Sequence, residues 1–219
     1  MIPKADSAFV CAMENVLAVY ERPYNPDNPV INLDESPKQL IEQVRETFTA
    51  SDGTIYEDYE YARNGTVSLF MINEALSGYR KVLVKEDHKA VTYAQVVAHI
   101  AEDLYPNAQK ITLVEDNLSA HKLAALYDVF KPQRARAIFQ RIEVVRTPKH
   151  GSWLNIAENE LSVLMRFGLK KRIPTKELVE QEVKAWYEMR NAKKAVVNWQ
   201  FTTTNARIKL KHLYPHFQS

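Results

Sequence analysis

The chain has one cysteine, Cys11, in 219 residues. A single thiol excludes a disulfide framework and a cysteine-based zinc site, and it fits a reducing compartment. No apolar run approaches the roughly 20 residues that cross a bilayer, so no membrane is expected as a partner. The N-terminal stretch carries Asp6 and lacks a continuous apolar core, which makes it a poor signal peptide. No repeat, low-complexity segment or flexible linker is visible, and no activated Ser or Cys motif points to a covalent intermediate. These absences leave a soluble globular protein, expected in the cytoplasm. Its hydrophobic share of 46% and charged share of 26% are ordinary for that class.

Charge is present but unevenly placed. Residues 1–140 hold 14 Lys and Arg against 20 Asp and Glu, whereas residues 141–219 hold 15 against 7. The net +2 therefore hides a basic C-terminal third, as a polyanion-binding surface requires.

Residues 7–20 have helical periodicity, with Phe9, Met13, Val16 and Leu17 on one side. VINLDES reads as a short strand ending on acids, and residues 37–55 as a loop with a helical fragment. YEDYEYARNGTVSLFMINEAL reads as two strands joined at Asn64-Gly65, because Asn-Gly between β-formers is a strong hairpin signal. GYRKVLVKED is a further strand. TYAQVVAHIAEDLYP is an amphipathic helix with Thr92 as its N-cap, stopping before Pro106. KITLVEDN is a buried strand, HKLAALYDVF a short helix, and RIEVVRTP a strand closed by Pro148. A helix is expected from Ser152 to about Phe167, and a second one capped by Thr175. The tail reads as a short apolar segment and a basic helical turn or two. Early antiparallel strands followed by alternating units predict an α/β fold, a mixed sheet with helices on both faces.

Three carboxylates stand at telling places in that plan. Asp34 ends one strand, Asp116 ends another, and Glu158 lies in a helix. Two strand-borne acids and one helix-borne acid suit a pair of Mg²⁺ ions on a phosphodiester, with Mn²⁺ as a substitute. Each position has a rival. Glu35 follows Asp34, and Asp at a strand end is also an ordinary turn residue. Alternation puts Asp116 on the face of Thr112 and Val114, with Glu115 on the other. Asp116 or Asn117 would also serve as a helix N-cap. Glu158 and Glu160 flank the apolar stripe of their helix, and a helical wheel does not choose between them.

LDESPKQL, DYEYARNGT, LVEDNLSAH, TPKHGSWLNIAENELSVL and WQFTTTNARIKLKHLYP, in that order, resemble the catalytic half of bacterial insertion-sequence transposases related to the mariner group. Those proteins belong to the DDE superfamily and have an RNase H-like fold. The resemblance covers nearly the whole chain. It implies that Asp34, Asp116 and Glu158 form the metal-binding triad, with Glu158 taking the acid's place in Leu154-Asn155-Ile156-Ala157-Glu158. It also implies that the strands of Asp34 and Asp116 are sheet neighbours.

By the same likeness Asn117 and His121 would support the second acid or touch DNA. Lys149, His150 and Asn155 would line the site. Lys170, Lys171, Arg172, Arg207, Lys209 and Lys211 would contact phosphates. Trp153 and Trp199 are expected to be packing residues rather than base-stacking platforms. The implied partner is double-stranded DNA, as transposon ends and target, bound by a homodimer, which would make the protein nucleoid-associated.

Residues 1–28 are expected to form an N-terminal helix and linker, 29–190 the catalytic domain, and 191–219 a basic tail. Glu115 departs from the family, which often carries an apolar residue there. The resemblance further implies paired helix-turn-helix modules upstream, and no basic recognition-helix pattern precedes Asp34. The leading expectation is a nuclease and strand transferase. An inactive remnant that only binds DNA and dimerises, and a nuclease acting on RNA–DNA hybrids, are the other two.

Overall fold

The computed structural model describes residues 6–44, 48–49, 51–53, 55–56, 60–118 and 121–215. Helix α1 spans Ser7–Tyr20, and Asp6 caps it by accepting from the Ala8 N–H. Strand β1 (Val30–Gln43) is followed by the short strands β2 (Phe48–Thr49) and β3 (Ile55–Tyr56), which pair with each other. Next come β4 (Tyr61–Glu74), β5 (Tyr79–Lys85), α2 (Ala90–His99) and β6 (Ile111–Glu115). Then α3 (Leu126–Val129), α4 (Pro132–Arg141) and β7 (Ile142–Arg146) follow. The chain closes with α5 (Ile156–Val163), α6 (Lys176–Ala192) and α7 (Thr203–Lys209).

The five remaining strands form one sheet in the order β5-β4-β1-β6-β7. β5, β4 and β1 are antiparallel neighbours, whereas β1, β6 and β7 run parallel. The mixed sheet is the expected one. Its first face is covered by α2, α3 and α4, whose Tyr93, Val97, Leu126 and Ile138 pack on Ile31, Leu33, Phe70 and Leu113. On the second face α5 and α6 lay Leu161, Val183 and Trp186 over Leu69, Met71 and Val82. Beside them α1 and α7 bury Met13, Leu17 and Ala206 around Val114 and Leu154. Strand alternation then decides where the polar residues go. Leu33 faces α2, so Asn32 and Asp34 face α1 and α5.

Several expectations need correction. Residues 37–43 are not a loop; they continue β1. Pro37 is tolerated there because β1 pairs with β6 only over Val30–Asn32, so no ladder on that side needs its missing N–H. Asn64-Gly65 is not a hairpin turn but lies inside β4. Gln39 pairs with Thr66 and Ile41 with Arg63, so Asn64 and Gly65 together oppose Leu40. This is a bulge, and Gly65 supplies the φ of +102° that it needs. Residues 57–59 of the expected first hairpin strand lie outside the described residues, as do Ser119 and Ala120 and the last four of the tail. Thr92 is not the N-cap of α2, which begins at Ala90; its hydroxyl donates to Asp87 instead. Helix α4 was not expected at all. Thr175 does cap α6, accepting from the Leu178 N–H.

Candidate active site

The parallel ladder between β1 and β6 ends at Asn32 and Val114. Its offset of 82 positions carries on to Asp34 and Asp116, which stand level just past the last paired residues. Where the ladder stops, an open cleft of about 390 Å³ begins. Asp34, Glu35, Asp116 and Glu158 line it, together with Ser36, Ser152 and Ser162. Three segments far apart in sequence thus bring the three expected acids to one place.

Asp34 accepts a hydrogen bond from the Glu35 N–H at 2.8 Å. Its carboxyl is pushed up to about 7, chiefly by burial, with the Glu35, Asp116 and Glu158 carboxylates adding to the shift. Glu35 is raised as well, again first by burial. Asp116 behaves oppositely: the His121 imidazole holds it below the usual carboxylate range. Glu158 sits in the first turn of α5, where the helix dipole favours an anion. Its buried Oε2 has no hydrogen-bond partner, and neither has Oε2 of Glu35.

Glu160 is elsewhere. Its carboxylate meets Arg80 Nε at 3.0 Å and Arg190 at 2.9 Å, in a buried ion triad between α5, β5 and α6. The helix therefore offers the cleft Glu158 and spends Glu160 on packing.

Asn155 fixes α5 to the sheet. It caps the helix by accepting from the Ala157 N–H at 3.1 Å, and its amide donates to the Leu33 carbonyl at 3.0 Å. Its side chain is fully buried. A second tie comes from α1, where the Tyr20 hydroxyl sits between Asn32 Oδ1 (2.5 Å) and the Leu154 carbonyl (2.7 Å).

His121 is buried under the cleft, stacked on Tyr93 with ring centroids 4.5 Å apart. Its Nε2 lies 3.4 Å from Glu35 and its Nδ1 3.6 Å from Asp116. These are ion-pair contacts rather than closed hydrogen bonds. Burial pulls the imidazole down, but the Asp116, Glu35 and Glu115 carboxylates outweigh it and hold the ring above its ordinary value. His121 thus braces an acid from β1 against one from the β6 loop.

Glu115 does not line the cleft. It points into the first face, fully buried, where Tyr93 donates to it at 2.8 Å and Arg146 at 3.3 Å. Arg146 also donates to the His121 carbonyl at 2.6 Å, so the same cation holds the loop after Asp116. Glu35, Tyr93 and Arg146 were not among the expected functional residues. Only Glu35 carried a signal, as the neighbour of Asp34.

The basic residues fall into three groups. Lys149 and His150 are exposed in the turn that leads to Ser152. That turn is tight: His150 has a φ of 65°, and a Cβ on Gly151 would lie 2.5 Å from the Pro148 ring. Lys170, Lys171 and Arg172 follow α5, and Arg172 packs over Tyr61 at 5.6 Å. Arg207 is committed to a bidentate pair with Glu14 on α1, whereas Lys209 and Lys211 are exposed. Asn117 is exposed. Trp199 packs as expected, tilted against Tyr20 with its N–H on the Phe201 carbonyl. Trp153 packs against Phe201, with ring centroids 6.2 Å apart, yet remains 42% exposed.

The donor set suits a hard divalent cation. All the cleft acids offer oxygen, the buried Oε2 of Glu158 accepts no hydrogen bond, and burial, with the neighbouring carboxylates adding, raises the proton affinity of Asp34. Among the described residues no three or more His, Cys, Asp or Glu side chains are grouped as they would be around a metal ion. An open array of this kind leaves room for water and phosphate oxygens, which Mg²⁺ retains as ligands. Among the described residues no helix is long and apolar enough to cross a membrane.

Solved structures share this fold. The Mos1 mariner paired end complex with Mn superposes with a TM-score of 0.58 at 16% identity, over 94% of this chain and 60% of that one. The Mos1 strand transfer complex gives 0.58 at 14% identity, over 96% and 62%. A pre-cleavage Mos1 transpososome gives 0.56 at 13% identity, over 100% and 67%. This chain therefore spans about 60% of the length of the first of these, and the likeness is one of RNase H-like fold. No curated protein matches the sequence. A family model described as DDE superfamily endonuclease matches residues 29–180, more than half of the chain, and the protein belongs to that family.

Proposed function

We propose that this chain is the catalytic core of a DNA transposase. It hydrolyses phosphodiesters at transposon ends and joins the released 3′-hydroxyl to target DNA. The observation that carries this reading is the meeting of Asp34, Asp116 and Glu158 in one open cleft. Residues 29–190 form the catalytic unit in this reading. Of the flanking segments, helices α1 and α7 pack beside it around Val114 and Leu154.

Asp34, Asp116 and Glu158 would hold two Mg²⁺ ions, or Mn²⁺ in their place. When bound, such a pair activates the attacking water or 3′-hydroxyl and offsets charge on the leaving oxygen. The protein's own contribution is positional. Asn155 sets the depth of Glu158 relative to Asp34. His121 keeps Asp116 ionised and spaced from Glu35. Lys149 and His150, exposed beside Ser152, offer donors to the phosphates of the strand entering the cleft. The partners are transposon-end and target duplexes, paired by a homodimer; family membership and the likeness to transposase–DNA complexes support this.

Glu115 was one of two grounds for the reading of an inactive remnant, and the burial of that side chain against Tyr93 and Arg146 removes this one. The test is nicking of supercoiled plasmid by the purified chain with Mg²⁺ or Mn²⁺, beside Asp34→Ala, Asp116→Ala and Glu158→Ala. Wild-type nicking, lost in all three folded variants, is expected. Equal nicking by any one of them would remove that residue from the site.

A further inference from the structure

Trp153 stands out among the tryptophans of the chain. Trp186 is 6% exposed, whereas Trp153 is 42% exposed. Its neighbours along the chain behave differently. Leu154 is fully buried, and Ser152 lines the acidic cleft. The indole is therefore not spent on the core, and it stands one residue from the cleft wall.

The ring is braced rather than loose. Phe201 meets it edge-on, with centroids 6.2 Å apart and planes at 70°. Such a contact steadies an aromatic ring without covering both of its faces. The surroundings are cationic. Lys209 lies over the face of that same Phe201 at 5.9 Å, and Lys149 and His150 are exposed in the turn just before Trp153. An exposed indole one residue from an acidic cleft, with Lys209 over its Phe201 neighbour and Lys149 close by in sequence, has the composition of a nucleobase-stacking platform.

We propose that Trp153 stacks on an unpaired nucleobase of the DNA strand that enters the cleft, next to the nucleotide whose phosphate reaches the acids. The ligand is a base that has left the duplex, since a paired base inside a duplex offers no free π-face. The platform places the strand so that the backbone on one side of the stacked base runs over Ser152 towards Glu158. Lys209 and Lys149 take the flanking phosphates. This inference rests on the nuclease reading above for the direction of the strand, but the stacking itself is measurable without cleavage.

The test uses the full chain carrying Asp116→Asn, so that bound DNA stays intact, with Trp153, Trp153→Leu or Trp153→Phe. The probes are a fully paired duplex and the same duplex with a short single-stranded overhang containing 2-aminopurine. Affinity is read by anisotropy, and stacking by quenching of tryptophan and 2-aminopurine emission. Trp153 is expected to favour the overhang by about tenfold. Trp153→Leu should lose that preference and the quenching, while Trp153→Phe keeps most of the preference. Unchanged circular dichroism and urea midpoint in Trp153→Leu would attribute the loss to the missing ring. An overhang preference that survives in Trp153→Leu overturns the proposal. Plasmid nicking by the wild type reports on the metal site alone. Nicking without any overhang preference therefore sinks the stacking and leaves the nuclease reading in place. Failure of the wild type to bind either DNA sinks both.

Discussion

Asn155 donates its side-chain amide to the Leu33 carbonyl at 3.0 Å, across 122 positions of sequence. One buried side chain thereby joins the helix that carries Glu158 to the strand that carries Asp34, while also capping that helix. Asn155→Ala removes the cap and leaves a buried carbonyl without a donor. The expected loss is about 2–3 kcal/mol in urea unfolding. Nicking should fall further than the populated fold explains, because the two acids lose their common reference. An Asn155→Ala protein with wild-type stability would show that the bond carries nothing.

The two acids of α5 should separate cleanly by experiment. Glu160 compensates Arg80, which is fully buried, so Glu160→Ala leaves an unpaired cation in the interior. Destabilisation of about 3–5 kcal/mol is expected. Glu158→Gln should instead leave the melting temperature near that of the wild type and abolish nicking. The reverse pattern would exchange their roles.

Stability without metal should fall as pH rises. The folded-state pKa of Asp34, about 7, exceeds its ordinary value of 3.8, so its contribution is fully present below 3.8 and lost as pH climbs through 7. His121 is also raised, and its contribution is likewise lost on the alkaline side. Asp116 is lowered, so its contribution is constant over this range and disappears only in acid. Denaturation in EDTA at pH 5.5 and pH 8 should therefore show the protein about 1–2 kcal/mol less stable at pH 8, after screening at the open cleft. Asp34→Asn should remove part of that slope, and Mg²⁺ should offset it in the wild type. A stability rising from pH 5.5 to 8 would contradict the burial and crowding of these acids.

Tyr93 should matter more than its distance from the cleft suggests. It donates to the buried Glu115 carboxylate and stacks on His121. Tyr93→Phe keeps the stack and removes the donor, and should cost about 1–3 kcal/mol. The paired change Tyr93→Phe with Glu115→Leu should recover much of this and retain nicking. Loss of nicking in a stable double variant would place Glu115 in the chemistry after all.

Part of this arrangement was readable from residues alone, for definite reasons, whereas the choice of Asp34, Asp116 and Glu158 among their neighbours came from the family resemblance. β6 is a fully buried run, ITLVE, and its β-branched residues leave little else for it to be. Asp116 follows it directly, so its place at the strand end came with the strand. The errors are equally physical. In Asn64-Gly65 the positive φ of glycine serves a bulge in a continuous strand, and only the register across from Leu40 distinguishes that from a turn. Helix α4 buries just Ala135 and Ile138, so its apolar period is too thin to read; Pro132 at its first turn was the signal available. Glu160 and Glu158 look alike on a helical wheel because the wheel does not contain Arg80, 80 positions away.

The most direct measurement of the central claim is a metal switch at Asp116. The Asp116→Cys protein keeps a ligand at that position but replaces oxygen by sulfur, which Mg²⁺ binds poorly and Mn²⁺ accepts more readily. Plasmid nicking by Asp116→Cys should be absent in Mg²⁺ and partly restored in Mn²⁺, while Asp116→Ala stays inactive in both. Nicking by Asp116→Cys that is as fast in Mg²⁺ as that of the wild type, or activity of the wild type that persists in EDTA, would contradict a metal site built on Asp34, Asp116 and Glu158.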